Sequence, residues 1–105
     1  MTDKRTEQDF LGDLNVPVEV YWGIHTQRAL QNFPISSLKV NPSLIRALAM
    51  LKKACCVANT ETGFLSASKS HVIADTCDEI VSGALMDQFP LDALQGGAGT
   101  SVNMN

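Results

Sequence analysis

The sequence predicts a mainly α domain with at most a short β-hairpin. Three observations carry that expectation: two long stretches with helical apolar spacing, over about 43–62 and 67–86, and an Asn41-Pro42 pair ahead of the first. Apolar residues recurring every three to four positions mark one face of a helix, whereas alternation marks a strand. Residues 1 to about 8 show little periodicity and are expected to fray or pair loosely. The stretch from Phe10 to Pro17 mixes apolar residues with turn formers, which suggests a short extended or hairpin segment. Val16, Val18 and Val20 alternate like a strand, yet Trp22, Thr26, Ala29, Leu30 and Phe33 share a helical face. A helix over about 20–32, ended before Pro34, follows from the second pattern.

Asn41 suits a helix N-cap and Pro42 the first helical position, because proline lacks the N–H that is unpaired there anyway. Leu44, Leu48, Leu51, Cys55 and Ala58 then fall on one face, with Arg46, Lys53 and Thr60 opposite, and Gly63 supplies the stop. In the next helix Ile73, Cys77, Ile80 and Ala84 share a face; Asp75, Asp78, Glu79 and Ser82 lie opposite, and Ser66 or Ser68 caps the start. The two helices should form an antiparallel hairpin packed against the first helix. Phe89-Pro90 ends the pattern.

Composition narrows the function. At 105 residues the chain is at most one domain. Charged residues make up 18%, below the usual quarter, which points to surface covered by other segments or subunits. A net charge of −3 and a pI near 5.1 argue against a nucleic-acid partner. No stretch reaches the roughly 20 apolar residues of a membrane span, and the polar N-terminus lacks a signal-peptide core. The expected location is cytoplasmic, with Cys55, Cys56 and Cys77 as reduced, buried small hydrophobes. No Cys/His ligand spacing exists, so no metal site is expected from these residues.

The densest signal is Gln95-Gly96-Gly97-Ala98-Gly99-Thr100-Ser101-Val102-Asn103-Met104-Asn105. Three glycines in four residues followed by hydroxyls and amides describe a turn that presents backbone N–H groups beside side-chain donors. Such turns suit a carboxylate or phosphate. A Walker loop would need Gly-Lys-Ser/Thr, but Thr100 follows Gly99 directly; the dinucleotide fingerprint would need glycine where Val102 stands. Neither nucleotide motif fits.

Residue for residue, that segment resembles the signature of the aspartase branch of the aspartase/fumarase superfamily. Leu11-Gly12, Val16-Pro17, Trp22-Gly23-Ile24-His25-Thr26-Gln27-Arg28-Ala29 and Asn32-Phe33 are similar, in order and spacing, to that family's N-terminal signature. Ala98 and Ser101-Val102 look like the aspartase branch rather than fumarase. The resemblance implies that residues 1–105 are the N-terminal domain of a lyase, cut inside its carboxylate-binding loop, with the central helical bundle and C-terminal domain absent. It implies reversible deamination of L-aspartate to fumarate and ammonium through an enediolate (aci-carboxylate). It also implies a homotetramer whose sites combine loops from three subunits, no organic cofactor, and a divalent cation as activator in some members.

Within that frame the resemblance makes Thr100 a donor to the substrate carboxylate, with Ser101, Gly99 and Asn103 completing the shell and Asn103 equally able to brace the turn. No catalytic base is expected in this chain: the family's histidine and serine lie further on, so the chain alone should be inactive. His25 and His71 have no evident carboxylate partner and read as structural, Asp75, Asp78 and Glu79 as a solvated face, and Arg28 as a helix-to-loop brace. Two other readings are a fumarate hydratase N-terminal domain and a non-catalytic anion-binding or assembly module.

Overall fold

The computed structural model describes residues 3–96 and 98–105. The chain is mainly α with one small two-stranded sheet. It divides into two compact units, one built from the residues up to Val40 together with Asp87–Asn105, the other from Asn41–Met86.

The first unit opens with an antiparallel hairpin of β1 (Lys4–Asp9) and β2 (Gly12–Pro17), paired from Lys4↔Pro17 to Asp9↔Gly12. Phe10 and Leu11 form the two-residue turn, where Asp9 Oδ1 accepts the Leu11 N–H at 2.9 Å. The expectation of a loosely paired N-terminus therefore needs correction for residues 4–8, which are regular strand; Met1 and Thr2 lie outside the described residues. What hid the strand is its inward row. Arg5, Glu7 and Asp9 alternate onto the less exposed side, so the period is present but written in charges.

Helix α1 (Ile24–Asn32) starts four residues later than the sequence pattern suggested. Gly23, its N-cap, is extended, and the carbonyls of Val20 and Trp22 bond to Arg5 instead of a following helical turn. α1 packs on both strands. Val16, Thr26 and Ala29 are buried in this unit, as is Leu91 from its second segment. That segment is tied back to the chain before Pro42: Lys39 and Asp92 form an isolated antiparallel bridge, and the Ala93 N–H donates to Leu38 O at 2.9 Å. Asp92 accepts from the Ser36 N–H, from Ser36 Oγ at 2.9 Å and from the Leu94 N–H at 2.8 Å. These donors hold its carboxyl below the usual carboxylate range, the backbone N–H groups of Leu94 and Ser36 foremost.

The second unit is the expected helical hairpin, α2 (Pro42–Glu61) and α3 (Ala67–Val81). Asn41 caps α2 by accepting the Ser43 N–H at 2.9 Å, and Ser66 caps α3 through the Lys69 N–H at 3.4 Å. Both helices end in the same motif. Phe64 N–H reaches back to Asn59 O around Gly63, and Ala84 N–H to Glu79 O around Gly83. Gly83, at φ 97°, closes α3 at Val81, five residues short of the expected end.

The buried face of α2 also differs from expectation. Ile45, Ala49 and Cys56 are buried, with Lys53 and Thr60 half-buried beside them. Leu44, Leu51, Cys55 and Ala58 are exposed. The two stripes lie one residue apart, about 100° round the helix. In α3, Cys77 is buried and Ile80 half-buried as expected, but Ile73 is exposed and Ala74 takes its place. Helical spacing locates candidate faces; it cannot choose between two apolar stripes when the helix offers both. All three cysteines are free, and Cys55, against expectation, is exposed. Cys56 Sγ sits 3.4 Å from Ser70 O, and burial pushes the Cys77 thiol up.

Candidate functional site

The glycine-rich segment begins where the Asp92 turn ends: the Gln95 N–H donates to Asp92 O at 3.3 Å. Gly97 lies outside the described residues. Gly99 has φ 85°, a left-handed conformation that costs a residue with a Cβ roughly 1–2 kcal/mol. Immediately afterwards the chain turns into α4 (Thr100–Met104), whose first bond runs from the Asn103 N–H to Gly99 O at 3.1 Å. α4 packs against α1.

Thr100 is exposed, and neither its hydroxyl nor its N–H has a hydrogen-bond partner among the described residues. Ser101 is half-buried and turned to the loop's own start, where its Oγ accepts from Gln95 Nε2 at 2.6 Å. Asn103 is exposed on the same helical side as Thr100, since residues three apart are neighbours on a helix. A Cβ at Gly96 or Gly99 would meet nothing within 4 Å. The backbone at these two glycines is thus unobstructed on the side where a Cβ would stand.

Four charged residues anchor the platform behind this loop. The Arg5 guanidinium donates to Pro17 O, Val20 O and Trp22 O at 2.8, 2.9 and 2.6 Å, and to Glu7 Oε2 at 2.7 Å. Glu7 Oε1 accepts the Ile24 N–H at 3.0 Å, supplying α1 with the cap that Gly23 cannot give. Arg28 grips Asp9 with two bonds of 2.8 Å and reaches Gly12 O at 2.9 Å. Its expected bracing character is what the geometry shows. The Arg5 guanidinium holds the Glu7 carboxyl below its ordinary value, and Arg28 does the same for Asp9. Trp22 Nε1 donates to Gln27 Oε1 at 2.9 Å, so the Trp22–Arg28 signature is largely a set of internal braces.

Arg5, Glu7 and Asp9 went unmarked in the sequence. The signal that could have found them is their strict i, i+2 spacing. Gln88 was also missed: its Oε1 accepts the Tyr21 N–H at 2.8 Å and its backbone O accepts Asn105 Nδ2 at 3.0 Å, fixing the far end of α4.

The other candidates sit on α1, α2 and α3. His25 is exposed on α1. His71, contrary to the sequence reading, does have a carboxylate partner: its Nε2 lies 3.3 Å from Asp75 Oδ2 one turn on, both strongly exposed. Asp78 pairs with Lys53 across the α2–α3 hairpin at 2.6 Å. Among the described residues no group of three His, Cys, Asp or Glu side chains could hold a metal ion, so the divalent cation that the family resemblance raised finds no fitting donor set here. No helix among them is long and apolar enough to cross a membrane.

A glycine-rich loop leads into a short helix that packs against α1, and its Thr100 hydroxyl has no partner among the described residues. Residues 12–105 match the family described as Lyase, and the chain belongs to that family. It is 45% identical over 104 residues to the aspartate ammonia-lyase of a Bacillus species, covering 99% of this chain and 22% of that protein. It is 47% identical over 103 residues to the class II fumarate hydratase of Halobacterium salinarum, covering 98% and 22%. The structure described as fumarate lyase:delta crystallin from Brucella melitensis superposes with a TM-score of 0.94 at 48% identity, over 97% of this chain and 24% of that one. The chain thus spans under a quarter of the length of these relatives. Its fold is that of the N-terminal domain of the aspartase/fumarase family.

Proposed function

We propose that this chain is the N-terminal domain of an aspartate ammonia-lyase, a carbon–nitrogen lyase, and supplies one of its carboxylate-binding loops. The observation that carries the reading is Thr100: an exposed hydroxyl with no partner among the described residues, set beside a left-handed glycine in open space. Elimination of ammonium from L-aspartate requires removing a proton from Cβ, next to a carboxylate, and that proton is very weakly acidic. Removal becomes feasible when the adjacent carboxylate takes the charge as an enediolate. A preorganised O–H donor at those oxygens stabilises the charged state more than the ground state, which is what accelerates a reaction. Threonine donates without adding a charge of its own. On this reading Thr100 is the principal donor, Ser101 and Asn103 flank it, and Gly99 shapes the turn. The base comes from outside residues 1–105, the assembly is a cytoplasmic homotetramer, and the 105-residue chain alone releases no fumarate from aspartate.

The test is steady-state kinetics of Thr100→Val in the full-length enzyme, after checking folding and assembly. Removing one such donor typically costs about 2.7–4 kcal/mol, so turnover should fall roughly 100- to 1,000-fold. A rise in KM with turnover unchanged would make Thr100 a ground-state contact only. Wild-type turnover and KM would remove Thr100 from the site and leave the glycine-rich loop with a structural role only.

A second reading, fumarate hydratase, is favoured by the similarity to the Halobacterium enzyme, at 47% identity against 45% for the Bacillus aspartate ammonia-lyase. The same enediolate would be stabilised with water as the leaving group. Turnover of aspartate and malate by the full-length enzyme separates the two.

A further inference from the structure

We propose that Gln95 is a positioning residue that acts through Ser101 to set the donor geometry of the glycine-rich loop; this rests on the reading of Thr100 above. Gln95 and Ser101 bracket the turn, and the 2.6 Å bond from Gln95 Nε2 to Ser101 Oγ closes it. At Gly96 and Gly99 nothing packs against the turn where a Cβ would stand. Backbone stiffness does not hold it either, because glycine is the least restricted residue. The polar cross-link is the bond that joins the two described ends of the turn. At the other end Asn105 Nδ2 is fixed on Gln88 O at 3.0 Å, and the Asn105 N–H on Ser101 O at 3.0 Å. Thr100 therefore sits between two tethers, with Gln95 the nearer.

The bond also decides where the Ser101 proton goes. A hydroxyl has one proton and two acceptor sites. With the Gln95 amide donating into one of those sites, the Ser101 O–H is left to donate elsewhere, toward an anion held at Thr100. Gln95 thus keeps one hydroxyl placed and a second one polarised outward without touching the substrate.

The experiment compares Gln95→Met, Ser101→Ala, the double variant and Thr100→Val in the full-length enzyme, each checked for assembly. Met fills the side-chain volume of glutamine but cannot donate. Misplacing a reacting group by about an ångström can cost on the order of 100-fold. Gln95→Met is expected to lower kcat by about 10- to 100-fold, with KM changing by less than about threefold. If Gln95 acts through Ser101, the double variant is no slower than the slower single, because the second substitution removes nothing further. Losses that multiply in the double variant would overturn the proposal, as would wild-type kcat in Gln95→Met. Should Gln95→Met fail to assemble, Ser101→Ala breaks the same bond from its other end, and wild-type kcat there overturns the proposal as well. Thr100→Val separates the two claims. A slow Thr100→Val beside a normal Gln95→Met sinks only the positioning assignment, whereas normal rates in both sink the reading of the loop.

Discussion

Arg5 is the residue whose loss should most disturb the platform under the loop, and the size of that effect can be worked from its contacts. Arg5→Met keeps the aliphatic stem and removes the Glu7 ion pair, a long contact to Val18 O at 3.4 Å, and three short hydrogen bonds to the carbonyls of Pro17, Val20 and Trp22. Hydrogen bonds to a charged group contribute about 1.5–3 kcal/mol each, so the three would sum to about 4.5–9 kcal/mol if fully shielded. The side chain retains 32% exposure, so water rehydrates much of what is freed. Discounting by about half gives a loss of roughly 2–4 kcal/mol. For a domain of this size 1 kcal/mol shifts the melting temperature by about 4–8 °C, which places the expected drop at roughly 8–32 °C. Trp22, the single tryptophan, lies in the segment that Arg5 holds, so its fluorescence should report the change beside circular dichroism. Arg5→Lys restores the charge facing Glu7 but not the planar fork that spans three carbonyls, and should recover less than half of the loss. A shift under about 0.5 kcal/mol in Arg5→Met, the range of an ordinary surface substitution, would refute the bracing argument.

Gly83→Ala should destabilise by about 1–2 kcal/mol in a urea titration, because alanine at φ 97° is strained; its contact with the tip of Arg46 is relieved by moving that flexible side chain. Gly96→Ala, with open space and ordinary backbone, should stay within about 0.5 kcal/mol of the parent. Glu7, Asp9 and Asp92 all have lowered carboxyl pKa values, so their contribution is complete above the ordinary carboxylate value of about 4 and is lost as pH falls through the lowered ones. The melting temperature should therefore hold near neutrality and decline below about pH 4, and Arg28→Leu should flatten that decline; a parent curve as flat as the variant's would contradict the assignment.

The elements that the sequence made legible are those whose signals are local. Asn41 and Pro42 state the start of α2 without reference to anything distant, and Gly63 states its end. Gly83 carried the same kind of signal, but the apolar residues Ala84 to Met86 continued the pattern past it. The hairpin's first strand was illegible for a different reason. Its inward residues are Arg5, Glu7 and Asp9, whose partners lie between 2 and 19 positions away, and no scale of hydrophobicity scores a charge as inward-facing. The exposed Leu44–Ala58 stripe of α2 shows the same limit from the opposite side: helical spacing gives a face, and only the tertiary partner says which of two faces is used.

At the loop, the order of residues names the candidates and the structure distinguishes them by their hydrogen bonds. Sequence placed Gly99, Thr100, Ser101 and Asn103 together because they are contiguous, and treated both hydroxyls alike. Consecutive residues at the start of a helix point about 100° apart, so the two cannot face the same way. One is bonded back to Gln95 while the other is left without a partner among the described residues. Ser101 Oγ is the acceptor in that bond, so the hydroxyl is held in place with its own proton still free, and a donor held in place costs no rearrangement when an anion arrives. On the proposed function, this asymmetry gives Thr100 the contact and Ser101 the alignment. It also explains why Gln95, which has no acid–base chemistry of its own, belongs with the loop.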